Sequence, residues 1–98
     1  MKHIRIFDKA GAFAENKDVG QEIRVQEILP ALKKNEEIIL DFEQVETATQ
    51  SFIHALISEA LRRYKNTALD RMAFKSCNET VKKMISIVVD YMQDAMEK

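Results

Sequence analysis

The first pattern of hydrophobic and polar positions along this chain is a short alternation. Polar and apolar side chains alternate over residues 3–7, which is typical of a half-buried strand. Gly11 and the polar residues 15–17 then indicate a turn or an irregular connection, so the path of residues 8–17 is left open.

A helical period comes next. Asp18 and Gln21 have the spacing of a capping box, which predicts that Asp18 caps a helix. Pro30 removes one backbone donor and is expected to kink or shorten that helix. Its single apolar stripe consists of Val25, Ile28, Leu29 and Leu32.

Two further strands enclose a long helix. The nearly continuous apolar run from Ile38 to Phe42 indicates a strand covered on both faces, as in a parallel sheet. Residues 69–76 do alternate, so they predict a less buried strand towards an edge of that sheet. The clearest helix lies between these strands, and its apolar positions are Phe52, Ile53, Leu56, Ile57, Ala60, Leu61 and Tyr64.

A last helix completes the pattern. Ser76 and Glu79 have capping-box spacing, and Asn78 is the alternative cap. The apolar stripe of this helix consists of Val81, Met84, Ile85, Val88, Met92 and Ala95. The order of elements is β-α-β-α-β-α, which predicts a small α/β fold with a mainly parallel sheet and helices packed on it.

Composition narrows the classes of function. The chain has 98 residues, and we expect a single domain over residues 1–98. Fifteen basic and sixteen acidic residues leave a net charge of −1, which offers no general attraction to nucleic acid or to an anionic membrane. One cysteine, no signal-peptide pattern and no apolar run of about 20 residues make the cytoplasm the expected location.

Motifs for catalysis, metals and cofactors are missing from the sequence. It has no phosphate-binding glycine loop, no Ser-His-Asp set and no metal-site spacing of histidine, cysteine and carboxylate residues. Cys77 precedes the last helix, whose dipole could lower the thiol pKa, but we favour a small side chain that fills the turn between strand and helix. We therefore expect a protein that is not an enzyme and that has no cofactor or metal.

Candidate chemistry lies in the loop after the Ile38 strand, since binding sites of open α/β sheets gather at the carboxyl ends of strands. Thr47, Thr49 and Ser51 stand at the entry of the clearest helix. The amino end of a helix tolerates an anion or a phosphorylated hydroxyl. The alternative is that one of these residues is only the N-cap, and Thr47 has capping-box spacing with Gln50.

The same loop resembles a known family. The residues that carry the resemblance are Leu40-Asp41-Phe42, Val45 and Thr49-Gln50-Ser51-Phe52. They are similar to the STAS domain, which includes the anti-anti-sigma factors of bacterial partner switching, and more closely to the small STAS-like domains of unassigned function. The resemblance extends from Ile38 to about Leu61 and agrees with the predicted order of elements.

This resemblance implies a non-catalytic regulatory module that docks a protein partner, namely one resembling a histidine-kinase-type ATPase. In anti-anti-sigma factors a serine at the helix entry accepts a phosphate. Gln50 takes that position here and cannot be phosphorylated, so Thr49 and Ser51 are the candidate acceptors. The expected docking surface is the loop 46–54 with the following helix, and its residues are Glu46, Thr47, Thr49, Gln50, Ser51 and His54.

Two other functions stay open. A nucleic-acid-binding protein would use a local basic patch, formed by Arg62, Arg63, Lys65, Arg71, Lys75, Lys82 and Lys83, although the neutral net charge counts against it. A small dimeric inhibitor would act through the last helix, where a homodimer contact would also lie. Met84, Met92 and Met96 lie on or near this helix, and the residues that widen its apolar surface beyond one stripe are Ile87, Val89 and Tyr91.

Overall fold

A small parallel sheet with helices packed on it is the frame of the molecule. The computed structural model describes residues 1–96, and the side chains of residues 1–94. The main sheet has three strands, β1 (Lys2–Arg5), β3 (Ile38–Asp41) and β5 (Met72–Lys75), in the order β1-β3-β5. A two-stranded sheet joins β2 (Phe13–Ala14) to β4 (Thr47–Ala48). The α-helices are α1 (Ile6–Ala10), α2 (Lys17–Ile23), α3 (Leu29–Lys33), α4 (Gln50–Tyr64), α5 (Asn66–Arg71) and α6 (Glu79–Met96).

The central strand of the main sheet is β3. Ile38 lies opposite Lys2 on one side and opposite Met72 on the other, and both pairings are parallel. The strand near residue 72 is therefore an edge strand, as its alternation predicts. The predicted α/β fold with a mainly parallel sheet and packed helices is confirmed.

Helices cover one face of the main sheet and not both. Ile38 and Leu40 point to the covered face and are buried. On the opposite face Ile39 is half-buried, and His3 and Ala73 beside it are exposed. The prediction that the Ile38 strand is covered on both faces is therefore wrong, because an unbroken apolar run also arises where one isoleucine faces solvent between polar neighbours.

Two of the predicted strands are shorter than expected because helices adjoin them. The first strand ends at Arg5, and Ile6 is buried as the first residue of α1. The last strand begins at Met72, since the residues before it form α5, which buries Ala68. Alternation over two or three positions is compatible with a helix as well as with a strand, so these boundaries are not visible in the pattern.

The helical segment from Lys17 to Lys33 begins two residues earlier than predicted. Asn16 is its cap, and the Asn16 side-chain oxygen accepts the N–H of Asp18 at 2.9 Å. The prediction that Asp18 is the cap is therefore wrong. Asp18 lies instead in the first turn of α2, where a negative charge complements the helix dipole.

A π-helical turn over Arg24–Ile28 interrupts this segment before Pro30. The N–H of Leu29 donates to the carbonyl of Arg24, five residues back, so the turn holds one residue more than an α-helical turn. Pro30, which has no N–H, lies in the first turn of α3, where a proline is tolerated. The extra residue rotates the apolar stripe and leaves Val25 53% exposed, so its predicted burial is wrong.

The last helix matches its predicted stripe, but its cap is the alternative residue. The side-chain oxygen of Asn78 accepts the N–H of Val81 at 2.8 Å, whereas Ser76 has φ +58° and caps nothing. Met84 is half-buried, and the side chains of Ala95 and Met96 lie outside the described residues. The buried members of the stripe are Val81, Ile85, Val88 and Met92.

Candidate functional site

The candidate loop leaves the main sheet at a buried aspartate. One carboxylate oxygen of Asp41 accepts the N–H of Glu43 at 2.9 Å, and the other lies 3.0 Å from His3 Nε2. The Glu43 N–H, followed by the His3 side chain and the charge of Arg5, holds the pKa of Asp41 below its ordinary value, although burial opposes this. The aspartate therefore stays ionised and bends the chain into the loop.

The other end of the loop is held by the small second sheet. The N–H groups of Glu46 and Thr47 donate to the carbonyl of Ala12 at 2.7 and 3.2 Å. The N–H of Thr49 donates to the carbonyl of Ala14 at 3.0 Å. These bonds hold the candidate loop against the segment before α2, whose path the sequence pattern leaves open.

That segment brings an exposed aromatic side chain to the loop. Phe13 lies in register with Thr47 across the β2–β4 pair, so their side chains point to the same face. Ala14 and Ala48 on the other face are buried in the hydrophobic core, whereas Phe13 is 59% exposed. Sequence analysis missed Phe13, because a strand of two residues has no periodicity from which its partner can be inferred.

The cap of α4 is Thr49. Its hydroxyl oxygen accepts the N–H of Phe52 at 3.1 Å, and Thr47 lies in β4 before the helix. The capping box between Thr47 and Gln50 is therefore absent, and the capping alternative applies to Thr49. The hydroxyl of Thr49 has a structural task, which distinguishes it from that of Ser51.

Three of the predicted docking residues share one shallow groove. Gln50, Ser51 and His54 line it together with Lys17 and Ala55, and its volume is about 350 Å³. The Ser51 side chain is exposed and bonds to no described residue. Since Lys17 is a cation and Ser51 lies in the first turn of α4, the groove suits an anionic group better than an apolar one.

The loop is also tied to the start of α6. The Asn78 side-chain nitrogen donates to the carbonyl of Glu46 at 2.9 Å, with the carbonyl of Val45 at 3.4 Å. The carboxylate of Glu46 remains exposed at the rim of the loop. Asn78 was recognised in the sequence only as a candidate cap, because its contacts with the loop span more than thirty residues.

The two other groups of candidate residues, the basic patch and Cys77, interact with their surroundings in ways that the sequence does not indicate. Arg62 and Arg63 of the predicted basic patch both lie 2.8 Å from the carboxylate of Glu59, and the Arg63 hydrogen bond lowers the pKa of Glu59. Burial raises the pKa of the Cys77 thiol, which is the opposite of activation by a helix dipole. Nucleic-acid binding stays a prediction that no observation here tests.

In the part of the chain that the structure describes, no three histidine, cysteine or carboxylate side chains cluster as metal ligands would. None of the helices in residues 1–96 combines the length and hydropathy that crossing a membrane requires. The cytoplasmic location stays a prediction.

Comparison with known proteins supports the resemblance of the loop to STAS-like domains. Neither curated proteins nor solved structures include a match to this chain. A family model described as a STAS-like domain of unknown function (DUF4325) matches residues 19–82, which is more than half of the chain and includes the whole candidate loop. The chain therefore belongs to the STAS-like domains of unknown function, DUF4325.

Proposed function

We propose that this STAS-like domain is a non-catalytic interaction module that docks a protein partner through loop 46–54 and the first turns of α4. The observation that carries the proposal is Phe13, which is 59% exposed beside Thr47. Aromatic side chains are enriched in protein–protein interfaces, since they bury a large apolar area with few rotatable bonds. Phe13 serves as the apolar anchor, and the hydroxyl and amide groups of the loop form the polar rim.

The family resemblance suggests a histidine-kinase-type ATPase as the partner, in a partner-switching pair. Ser51 is then the better phospho-acceptor, because the Thr49 hydroxyl caps α4 and Gln50 cannot accept a phosphate. A phosphate on Ser51 lies in the groove with Lys17 and His54. Its charge and its bound water weaken docking of a partner that covers this surface.

The test is affinity capture from a lysate of the source organism, with and without added nucleotide. The chain is compared with its Phe13→Ala and Ser51→Glu variants. Val25→Ala is the control for loss of an exposed apolar side chain, and Ser51→Ala is the control for loss of the hydroxyl without added charge. We expect one ATPase to be captured by the wild type and both controls and to be lost from both test variants.

The purified partner then gives the affinities by titration calorimetry. An interface anchor changed to alanine is expected to weaken binding by about 1–3 kcal/mol, roughly tenfold or more. Unchanged affinity in both Phe13→Ala and Ser51→Glu would rule out docking through this surface. If the captured protein is not an ATPase but its capture is lost in the test variants, the docking surface would be supported and partner switching would be ruled out.

A further inference from the structure

The last helix carries a second apolar stripe besides the one it buries. Ile87 is 41% exposed and Tyr91 is 61% exposed, and Met84 beside them is half-buried. These residues follow a spacing of three and then four, and Thr80 and Asp94 extend it in both directions. Alternating steps of three and four place side chains along one seam of a helix, as in a paired coiled coil. The seam lies on a different side of α6 from its buried stripe.

Opposite charges flank the seam, one on each side of its centre at Ile87. Lys83 precedes Ile87 by one turn, and Asp90 follows it by nearly one turn. Both side chains are exposed, and neither forms an ion pair with a described residue. The α6 surface is therefore self-complementary in charge when a second copy of the helix runs in the opposite direction.

We propose that α6 pairs antiparallel with α6 of a second copy of this chain, in a two-fold homodimer centred on Ile87. Each Lys83 lies against Asp90 of the other copy, so two opposite-charge contacts form at once. A parallel pair would set like charges at the same height, so the charges select the antiparallel arrangement.

The expected association is weak, because one helix from each copy buries less than the roughly 1,200 Å² of standard interfaces. Sedimentation equilibrium of the full chain, from about 5 to about 500 µM, covers the micromolar affinities that such an interface supports. The average mass is expected to rise from that of one chain towards that of two. A single-chain mass over this whole range would overturn the proposal.

A charge exchange identifies the interface. Lys83→Glu presents two acidic groups on each copy and Asp90→Lys presents two basic groups, so each variant alone is expected to be a monomer. An equimolar mixture of the two variants is expected to form a dimer, and the double variant Lys83→Glu/Asp90→Lys is expected to pair with itself again. Lys82→Glu, the same charge change on the side of α6 away from the seam, is the control and keeps the dimer.

Ile87→Asp tests the centre of the seam and is expected to abolish pairing. Circular dichroism distinguishes this loss from unfolding, since Ile87 lies outside the buried core and its change leaves the helix content intact. A dimer that persists in Ile87→Asp and in both single charge variants would lie elsewhere on the molecule and would overturn the proposal. The outcome does not depend on the docking surface at loop 46–54.

Discussion

At the residue scale, Asn78 joins the last helix to the candidate loop. Its side-chain oxygen caps α6 through the N–H of Val81, and its nitrogen donates to the carbonyl of Glu46. Asparagine has both an acceptor and a donor on one short side chain, whereas an ionised aspartate can cap the helix but has no donor for the Glu46 carbonyl. One side chain therefore sets the start of α6 and the position of the loop together.

Replacing Asn78 is expected to separate these two roles. Asn78→Ala loses the cap and the loop contacts and should lower the free energy of unfolding by about 1–3 kcal/mol. Asn78→Asp keeps the cap but turns a carboxylate towards the Glu46 carbonyl, so its stability should lie between wild type and Asn78→Ala. Urea denaturation measures the order of stability of these three proteins. Ser76→Ala is the control, since Ser76 caps nothing, and an Asn78→Asp protein as stable as wild type would contradict the contact with the loop.

Asp41 makes the stability of the fold depend on acid. Its pKa is lower in the folded chain than its ordinary value of 3.8, so the ionised form stabilises the fold at neutral pH. This stabilisation is present above the ordinary value and is lost as the pH falls through the lower folded value. The carboxylate therefore holds the loop firmly under neutral conditions.

Asp41→Asn tests this linkage. It keeps an acceptor for the N–H of Glu43 but has no charge, and we expect a loss of about 1–3 kcal/mol in the free energy of unfolding at pH 7. Denaturation midpoints measured from about pH 7 to about pH 2 should converge between variant and wild type, because the wild type loses its carboxylate there. A difference that stays constant with pH would exclude the charge as the cause.

At the element scale, α2 and α4 approach each other closely at one glycine. A Cβ atom added at Gly20 would lie 2.9 Å from the backbone oxygen of Phe52 and 3.4 Å from the Cβ of Ala55. A backbone oxygen cannot move aside as the end of a flexible side chain can. Gly20 is therefore required by helix packing, and this close approach sets α2 and Lys17 beside the first turns of α4.

Gly20→Ala is expected to destabilise the protein although alanine favours helices. The overpacking costs about 1–3 kcal/mol and exceeds the gain of about 1 kcal/mol in helix propensity. The denaturation midpoint in urea is the measurement. Gln21→Ala, on the exposed side of the same helix, is the matched control and should change the stability by about 0.5 kcal/mol or less. A Gly20→Ala protein more stable than wild type would mean that α2 and α4 are not this close.

At the scale of the whole molecule, the buried side chains form one hydrophobic cluster. It includes Ile4 from β1, Leu40 from β3, Phe52 from α4 and Val88 from α6. Since every large element contributes to the same cluster, none of them can lose its packing without affecting the others. The single domain over residues 1–98 stays a prediction.

Unfolding should therefore occur in one cooperative transition. The chain has two tyrosines and no tryptophan, so Tyr91→Phe leaves Tyr64, which packs against the core, as the only strong fluorophore. In that variant, urea transitions followed by Tyr64 fluorescence and by far-ultraviolet circular dichroism should coincide, as for a two-state domain. Separate midpoints would show that the chain unfolds as more than one unit.

The sequence by itself determined the main elements and their class of fold. The long helix from Phe52, the buried stripe of α6 and the edge position of the strand near residue 72 were predictable, because hydrophobic periodicity indicates which side of an element is buried. The loop 46–54 was identifiable for the same reason, since it connects two clearly predicted elements. The hydroxyl residues at its end indicated a helix start, although not which of them caps the helix.

Only the tertiary structure decided how the short segments pair. The β2–β4 sheet consists of two residues from each strand, so no local pattern could place Phe13 beside Thr47. The exposure of Val25 likewise depends on a single extra residue in a helical turn. The contact of Asn78 with Glu46 joins residues that are distant in sequence. The residues of the candidate loop were visible in the sequence, whereas the exposed Phe13 and the cationic Lys17 were brought beside them by folding.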